Sequence, residues 1–155
     1  MSPHLGWAEA QWKPGVTVEE RVRWSDVDAA GIICYGAYLR LYEIAETELF
    51  RAAGEPCHEL FERHDVWLPR VHIESDFLRP AFLDDALRVT AGVESLGTTS
   101  IRLAFRVERA GEEIARARFV LVCVSRQGLR KRPLPASLVE RLERFGERAG
   151  PALPR

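Results

Sequence analysis

The sequence predicts an α+β fold in which an antiparallel sheet curls around one long helix. Three observations carry the prediction. One strand-like segment precedes a long segment of helical period, and four more strand-like segments follow it. Two links between those later segments are short turns, Gly97-Thr98-Thr99 and Ala110-Gly111-Glu112, of the kind that joins antiparallel neighbours. The helical segment carries apolar Leu39, Ile44 and Phe50 outside its main stripe, a wide apolar surface suited to a helix wrapped by a curved sheet.

Residues 1–14 read as a loose N-terminal arm. Pro3, Gly6 and Pro14 discourage regular structure there, while Trp7 and Trp12 can anchor the arm on the surface. Val16 to Trp24 alternates as a strand, with Val16, Val18, Val22 and Trp24 broadly on one face. Ser25 to Gly31 is a turn. The long helix runs from Gly36 or Ala37 to Ala53, where Tyr38, Leu41, Tyr42, Ala45 and Leu49 recur at helical spacing. Gly54 suits the left-handed position past its end. Cys57 to His64 reads as a short surface helix.

The strands that follow are Val66–Phe77, Leu87–Leu96, Ser100–Glu108 and Glu113–Ser125. Ile101, Leu103, Phe105 and Val107 alternate with Arg102, Ala104 and Arg106, which defines one buried face. The run Phe119 to Val124 does not alternate, as expected of a strand covered on both faces. Residues 133–147 read as a C-terminal helix with Leu138, Leu142 and Phe145 along one edge. All 155 residues fit one domain, which is long enough to bury a core.

Composition narrows the function. A net charge of −1 argues against a generic nucleic-acid binder. Charge is uneven along the chain: residues 1–99 hold 9 Lys/Arg and 17 Asp/Glu, residues 100–155 hold 13 and 6. Two readings stay open, a basic third that attracts a phosphorylated ligand and opposite charges that balance across one compact unit. Cys34, Cys57 and Cys123 lack Cys-x-x-Cys spacing, which fits a reducing compartment. With neither a signal-peptide pattern nor a membrane span in the sequence, a cytoplasmic protein is expected. His4, His58, His64 and His72 form no His-x-x-x-His or Cys/His cluster, so no metal site is expected. Gly-x-Ser-x-Gly, dinucleotide and P-loop patterns are absent from the sequence as well.

One stretch concentrates the chemistry: Trp24-Ser25-Asp26-Val27-Asp28-Ala29-Ala30-Gly31-Ile32-Ile33-Cys34-Tyr35-Gly36-Ala37-Tyr38-Leu39. It sets a carboxylate at the end of a strand, then a glycine-containing turn, then the start of the long helix. The first turn of a helix offers unpaired N–H groups at the positive end of the helix dipole. Such an end holds a carbonyl oxygen that turns negative during reaction, so a carboxylate beside it points to acyl-group chemistry. The residue order also resembles the hotdog-fold acyl-CoA thioesterases of the 4-hydroxybenzoyl-CoA thioesterase type. Their pattern runs roughly aromatic-x-Asp-x-Asp-x-x-Gly-hydrophobic-hydrophobic-x-Tyr/His-x-x-Tyr-hydrophobic, and Trp24, Asp26, Asp28, Gly31, Ile32, Ile33, Tyr35, Tyr38 and Leu39 fit it. The segment Asp76 to Val89 is similar to the family's strand-Pro-loop-strand unit, with Asp84 where the family often has Gly. The resemblance spans about Val16 to Val124.

The resemblance implies a hotdog fold, a curved antiparallel sheet wrapped around a long central helix, and hydrolysis of an acyl-CoA thioester. In the related enzymes the second Asp of the pair is the catalytic carboxylate, here Asp28. General-base attack by water and an acyl-anhydride route both stay open. Tyr35 matches the position whose backbone N–H polarises the thioester carbonyl, and Gly36 allows a ligand close to the main chain. Tyr38 is a candidate substrate contact. Asp26 is expected to bind backbone or a neighbouring Arg. Ala37 departs from the many relatives with Asn before the second Tyr, which puts a local water or substrate contact in question. Cys34 reads as a small filler residue.

Arg130, Lys131 and Arg132 are candidate contacts for the phosphates of coenzyme A, as are Arg102, Arg106, Arg116 and Arg118 on strands. Tyr35, Tyr38, Tyr42, Trp67 and Phe77 are candidates for an aromatic acyl pocket. Coenzyme A is part of the substrate, and no separate cofactor is implied. A hotdog subunit leaves a sheet edge and a helix surface uncovered, so a homodimer is expected, with the pantetheine arm between subunits; a tetramer of dimers is common in the family. The alternatives are an acyl-carrier-protein thioesterase and a non-catalytic hotdog protein that binds an acyl ligand. Hotdog hydratases need a His near the central helix, and none lies between Trp24 and Gly54.

Overall fold

A five-stranded antiparallel sheet wraps one long helix in the computed structural model of the chain, which describes residues 12–146. The strands of this sheet are β1 (Val16–Arg21), β3 (Arg70–Phe77), β4 (Ala86–Leu96), β5 (Ser100–Arg109) and β6 (Glu112–Val122), in spatial order β1-β4-β5-β6-β3. Helix α1 (Tyr35–Ala52) fills the concave side. Cross-strand partners Ala91, Phe105 and Ala117 share the inner face, where Phe105 and Phe119 stack around Tyr42 of α1. This is the arrangement that the resemblance implies. Apolar burial of Leu41, Tyr42, Ala45 and Leu49, all fully enclosed, holds the helix in the sheet.

Several elements differ from expectation, each for a local reason. The first strand ends at Arg21, and Trp24 is 79% exposed in a 3-10 turn, Trp24–Asp26. The Asp26 carboxylate accepts the Arg23 N–H at 2.8 Å and closes that turn before Trp24 can face the core. Helix α1 begins one residue earlier than predicted, at Tyr35. The segment Val66–Phe77 is two strands, because Pro69 has no N–H to donate to a ladder. The short β2 (Val66–Trp67) leaves the main sheet and pairs with β7 (Val124–Ser125). The predicted Glu113–Ser125 strand divides at Cys123 for the same pairing, its N–H going to Thr99 O at 2.7 Å.

The C-terminal helix is shorter than residues 133–147. It comprises α3 (Ala136–Leu142) and a 3-10 turn, Glu143–Phe145, because Pro133 and Pro135 keep the preceding backbone extended. Of the three apolar residues off the helical stripe, Phe50 is buried and Ile44 half-buried, but Leu39 is 49% exposed on the side the sheet leaves open. Helix α2 (Cys57–His64) is a surface helix, with His58, Glu59, Glu62 and Arg63 exposed, but His64 does not share that exposure. His64 is buried against the fully enclosed Glu55, 3.1 Å away, and Arg63 and Arg141 also bind that carboxylate. In the predicted arm, Trp12 lies on Gly92 of β4, where any side chain would collide with it, and Arg106 sits 5.7 Å from its ring. The rest of the arm, with Trp7 and His4, lies outside the described residues, as does Glu147.

Part of the charge asymmetry along the chain is cancelled in space. Arg109 pairs with Asp85, Arg116 with Asp76, and Arg118 with Glu74 and Glu94, so arginines of β5 and β6 are neutralised by carboxylates of the first 99 residues. Arg116 and Arg118 are therefore engaged on the convex face rather than held free for phosphate. No helix among the described residues is long and apolar enough to cross a membrane.

Candidate active site

Residues 27–33 form a tight hairpin between the 3-10 turn and α1. Val27 and Ile33 bridge its base, the Asp28 N–H donates to Ile32 O at 2.9 Å, and the Gly31 N–H donates to Asp28 O at 3.0 Å. Gly31 takes φ +74°, a left-handed value that glycine adopts without Cβ strain. Asp28 Oδ1 accepts the N–H of Ala30 at 2.8 Å and of Ile32 at 3.4 Å. These bonds orient an exposed carboxylate whose Oδ2 meets no partner among the described residues, so one oxygen is held and the other is open.

Asp26 is the buried member of the pair, 3% exposed. Its carboxylate accepts Arg40 Nη2 at 2.6 Å and Arg40 Nε at 3.3 Å besides the Arg23 N–H, and its carbonyl accepts the Cys34 N–H at 2.8 Å. The sequence assigned it to backbone or a neighbouring Arg; it binds both. The hairpin is fastened to the loop after β3 as well, where the Ile33 N–H donates to Ala81 O at 2.9 Å and Ile32 bridges Phe82.

Helix α1 starts where this hairpin ends. Its N-cap, Cys34, supplies no side-chain bond, so the thiol fills space at the helix start. Among the described residues the N–H groups of Tyr35 and Gly36 have no backbone acceptor, whereas the Ala37 N–H turns back to Cys34 O. Two donors at the positive end of an 18-residue helix are thus open beside the Asp28 hairpin. Tyr35 also borders a cavity of about 320 Å3, with Ile32, Ile33 and Tyr38 on its side and the Phe77–Pro80 segment on the other.

The second wall was not assigned from sequence. The strand-Pro-loop pattern over Asp76–Val89 was visible, but no local signal says that Leu78, Arg79 and Pro80 return to the helix start. Arg109 fixes this wall by donating to Pro80 O at 3.0 Å and to Asp85 Oδ2 at 2.9 Å. Burial tends to raise the Asp85 pKa, but the Phe82 N–H and Arg109 outweigh it and hold the carboxyl below its usual range. Of the five aromatic candidates, Tyr35, Tyr38 and Phe77 line this cavity. Tyr42 is core, and Trp67 lines a second cavity of about 420 Å3 at the opposite end of β3, with Phe61, Leu68, Pro69 and Leu129.

Arg130, Lys131 and Arg132 belong to that opposite end. All three are exposed. The Arg132 N–H donates to Cys123 O, Arg132 Nη1 to Asp65 O, and the Arg130 N–H to Ser125 Oγ, so the run adjoins β7 and the start of β3. Within one subunit it is separated from the cavity at the start of α1 by the length of β3. Among the described residues no group of three or more His, Cys, Asp or Glu is placed to hold a metal ion.

Comparison with known proteins finds relatives in sequence and in fold. The model of the thioesterase-like superfamily matches residues 22–142. The chain is 30% identical over 127 residues to the 1,4-dihydroxy-2-naphthoyl-CoA hydrolase of Nostoc punctiforme, covering 82% of this chain and 86% of that protein. It is 30% identical over 125 residues to the acyl-CoA thioester hydrolase YbgC of Escherichia coli O6:H1, covering 77% and 89%. A thioesterase from Thermus thermophilus, solved with coenzyme A and zinc, superposes with a TM-score of 0.72 at 28% identity over 86% of this chain and 95% of that one.

Proposed function

The chain belongs to the thioesterase-like superfamily and is a thioester hydrolase; from that premise we propose that Asp28 and the first turn of α1 cleave an acyl-CoA. The observation that carries this reading is the half-satisfied carboxylate: Oδ1 is fixed by Ala30 and Ile32 while Oδ2 is open, at the end of a helix whose first two N–H groups are also open.

The thioester carbonyl oxygen accepts hydrogen bonds from the Tyr35 and Gly36 N–H groups. Attack at the carbonyl carbon moves charge onto that oxygen, where the donors and the helix dipole stabilise it most in the transition state. In one route Asp28 takes a proton from water as the hydroxide attacks. In the other its oxygen attacks, the carbon–sulfur bond breaks to give an acyl anhydride, and water then hydrolyses that anhydride. Both release coenzyme A as the thiol and the acyl group as the free acid, and neither requires a cofactor beyond the substrate.

A second copy of the chain completes the site in this reading. β3 is an edge strand, and Ile73 and Phe77 on its helix side are 45% and 51% exposed, as is Leu39 of α1 at 49%. An uncovered apolar edge of this kind invites pairing. Antiparallel pairing of β3 with its copy sets the start of one strand beside the end of the other. That brings Arg130, Lys131 and Arg132 of one copy towards the cavity of its neighbour, where the phosphates of coenzyme A need cations. The assembly is a homodimer, or a tetramer of such dimers.

The test is thiol release from short, medium and long acyl-CoAs, an aryl-CoA and one acyl-carrier-protein thioester, by wild type and Asp28→Asn. Asn keeps an oxygen that accepts the Ala30 N–H, so the hairpin is retained while the carboxylate is lost. Wild-type turnover of a CoA thioester with at least about a 100-fold loss in the variant is expected. Equal rates would remove Asp28 from catalysis, and turnover of the carrier-protein thioester alone would change the substrate.

A further inference from the structure

The cavity at the start of β3 shares no lining residue with the one at the start of α1. Trp67 of β2 and its cross-strand partner Val124 of β7 line it, with Phe61 of α2, Leu68 and Leu129. The Phe61 and Trp67 rings lie 5.2 Å apart, and the volume of about 420 Å3 has room for a small aromatic or medium-length aliphatic body. Two cations meet this apolar space. Arg70 is the one charged residue among the described residues that line it. Its Nη2 donates to Glu46, which is enclosed in α1, while Nη1 and Nε make no hydrogen bond among the described residues. The Arg126 guanidinium lies 4.8 Å from the centroid of the Trp67 ring and forms no ion pair among the described residues. Glu46 balances Arg70, and Arg126 adds a further positive charge. A tight turn fixes the rim: the Ser125 N–H donates to Arg130 O at 2.8 Å, the Arg130 N–H to Ser125 Oγ at 3.1 Å, and that hydroxyl to Gln127 O at 2.6 Å. The turn holds Leu129 at φ +49°, 66% exposed. Residues with a side chain rarely adopt that left-handed backbone. Such strain persists where surrounding bonds impose it, and it clusters at ligand sites.

We propose that this second cavity binds a small apolar carboxylic acid. The hydrocarbon body lies among Phe61, Trp67 and Leu129, and the carboxylate accepts hydrogen bonds from the open N–H groups of Arg70, with Arg126 as the second cation. A guanidinium offers several donors in a planar fork, so one carboxylate on Nη2 leaves others for a second. The apolar walls supply the contact area, and the charge supplies the selection for an acid over a neutral molecule of the same shape. An acid of this class is the product that hydrolysis of a thioester releases beside the thiol, so the occupant is the reaction's own acid. That source rests on the thioester-hydrolase reading; the chemistry of the site does not.

The experiment follows the indole N–H resonance of Trp67, identified by its loss in Trp67→Phe, while the full chain is titrated with benzoate, hexanoate, benzyl alcohol, hexanol or coenzyme A. Benzoate or hexanoate is expected to shift it saturably with Kd of about 1 mM, and the matching alcohol to bind at least about tenfold more weakly. Leu129→Glu sets a negative charge on an exposed rim position, and Arg126→Gln removes the second cation. Both leave the Glu46–Arg70 pair intact, and each is expected to weaken the acid by about tenfold. Arg70→Gln tests the anchor directly but strands Glu46, so the other two variants decide if it fails to fold. An alcohol that binds as tightly as its acid would overturn the proposal. So would acid binding unchanged in both Leu129→Glu and Arg126→Gln, which would place the acid in the cavity at the start of α1. A resonance that neither acid moves at about 20 mM, whether or not coenzyme A moves it, would overturn it as well. The acid released from the thioester cleaved fastest is titrated last; binding weaker than both probes would remove the product as occupant. Should wild type cleave no thioester, the hydrolase reading fails by itself, and the acid titrations still decide the site.

Discussion

Arg40 and Asp26 form a two-point ion pair, 2.6 Å and 3.3 Å, that ties the second turn of α1 to the turn before the Asp28 hairpin. Asp26 also holds the Arg23 N–H and, through its carbonyl, the Cys34 N–H, so it closes both ends of the hairpin. Removing Arg40 leaves a nearly buried carboxylate without its cation. Arg40→Ala is expected to cost about 2–3 kcal/mol, less than a fully buried pair because the guanidinium is partly exposed. Urea unfolding reads the loss, and kcat falls with it as the hairpin loosens.

Gly31 allows the hairpin to place Asp28. At φ +74° an alanine pays roughly 1 kcal/mol of backbone strain, although nothing crowds its Cβ. The mildest relief is a shift of the Asp28–Ile32 turn. With Asp28 as the proposed catalytic carboxylate, Gly31→Ala is expected to change stability little and to lower kcat by about tenfold, since even small misplacement of such a group is costly. Paired thermal melts and steady-state rates check this; a fall in melting temperature with full kcat would contradict it.

Glu46 is 1% exposed in the middle of α1 and binds Arg70 at the start of β3. Burial raises its pKa more than Arg70 lowers it. The folded protein then binds the Glu46 proton more tightly than the unfolded chain. The stability this residue contributes is full below the ordinary Glu value and is lost as pH rises through the raised one. Wild type minus Glu46→Gln, followed by urea unfolding over an acidic-to-neutral series, should slope downwards with rising pH across that window. A difference that rises with pH would reverse the assignment.

Ile73 lies on the exposed edge of β3. A charge there has no partner if two edges pair. Ile73→Lys is expected to shift sedimentation from dimer to monomer and to depress kcat/KM, with little effect on a monomer's fold because the residue is 45% exposed. Unchanged sedimentation would move the interface elsewhere.

The legibility of this chain divides by the distance over which its causes act. Tyr38, Leu41, Tyr42, Ala45 and Leu49 repeat at the helical period, and Ile101, Leu103, Phe105 and Val107 at the strand period, so α1 and β5 were readable from neighbours in sequence. The breaks at Pro69 and Cys123 were harder. Pro69 itself interrupts the ladder, but where β2 goes instead, and the division at Cys123, are set by the pairing of β2 with β7, whose residues lie more than fifty positions apart. His64 read as a surface residue because the carboxylate that buries it, Glu55, belongs to the preceding loop and is covered by α3 through Arg141.

By itself the sequence determined the α+β class, the strand–hairpin–helix unit and the pairing of Asp28 with a helix start. All of that chemistry sits in one continuous stretch, Trp24–Leu39, shaped by local turn bonds and the Gly31 dihedral. Only the tertiary structure decided which carboxylate is buried and how the arginines of β5 and β6 are neutralised. It alone brought the Phe77–Pro80 wall to Tyr35 and Tyr38, and set the Arg130–Arg132 run at the far end of β3. Those outcomes depend on strand pairing and charge separation between residues remote in the chain, and a linear order of residue types does not specify such distances.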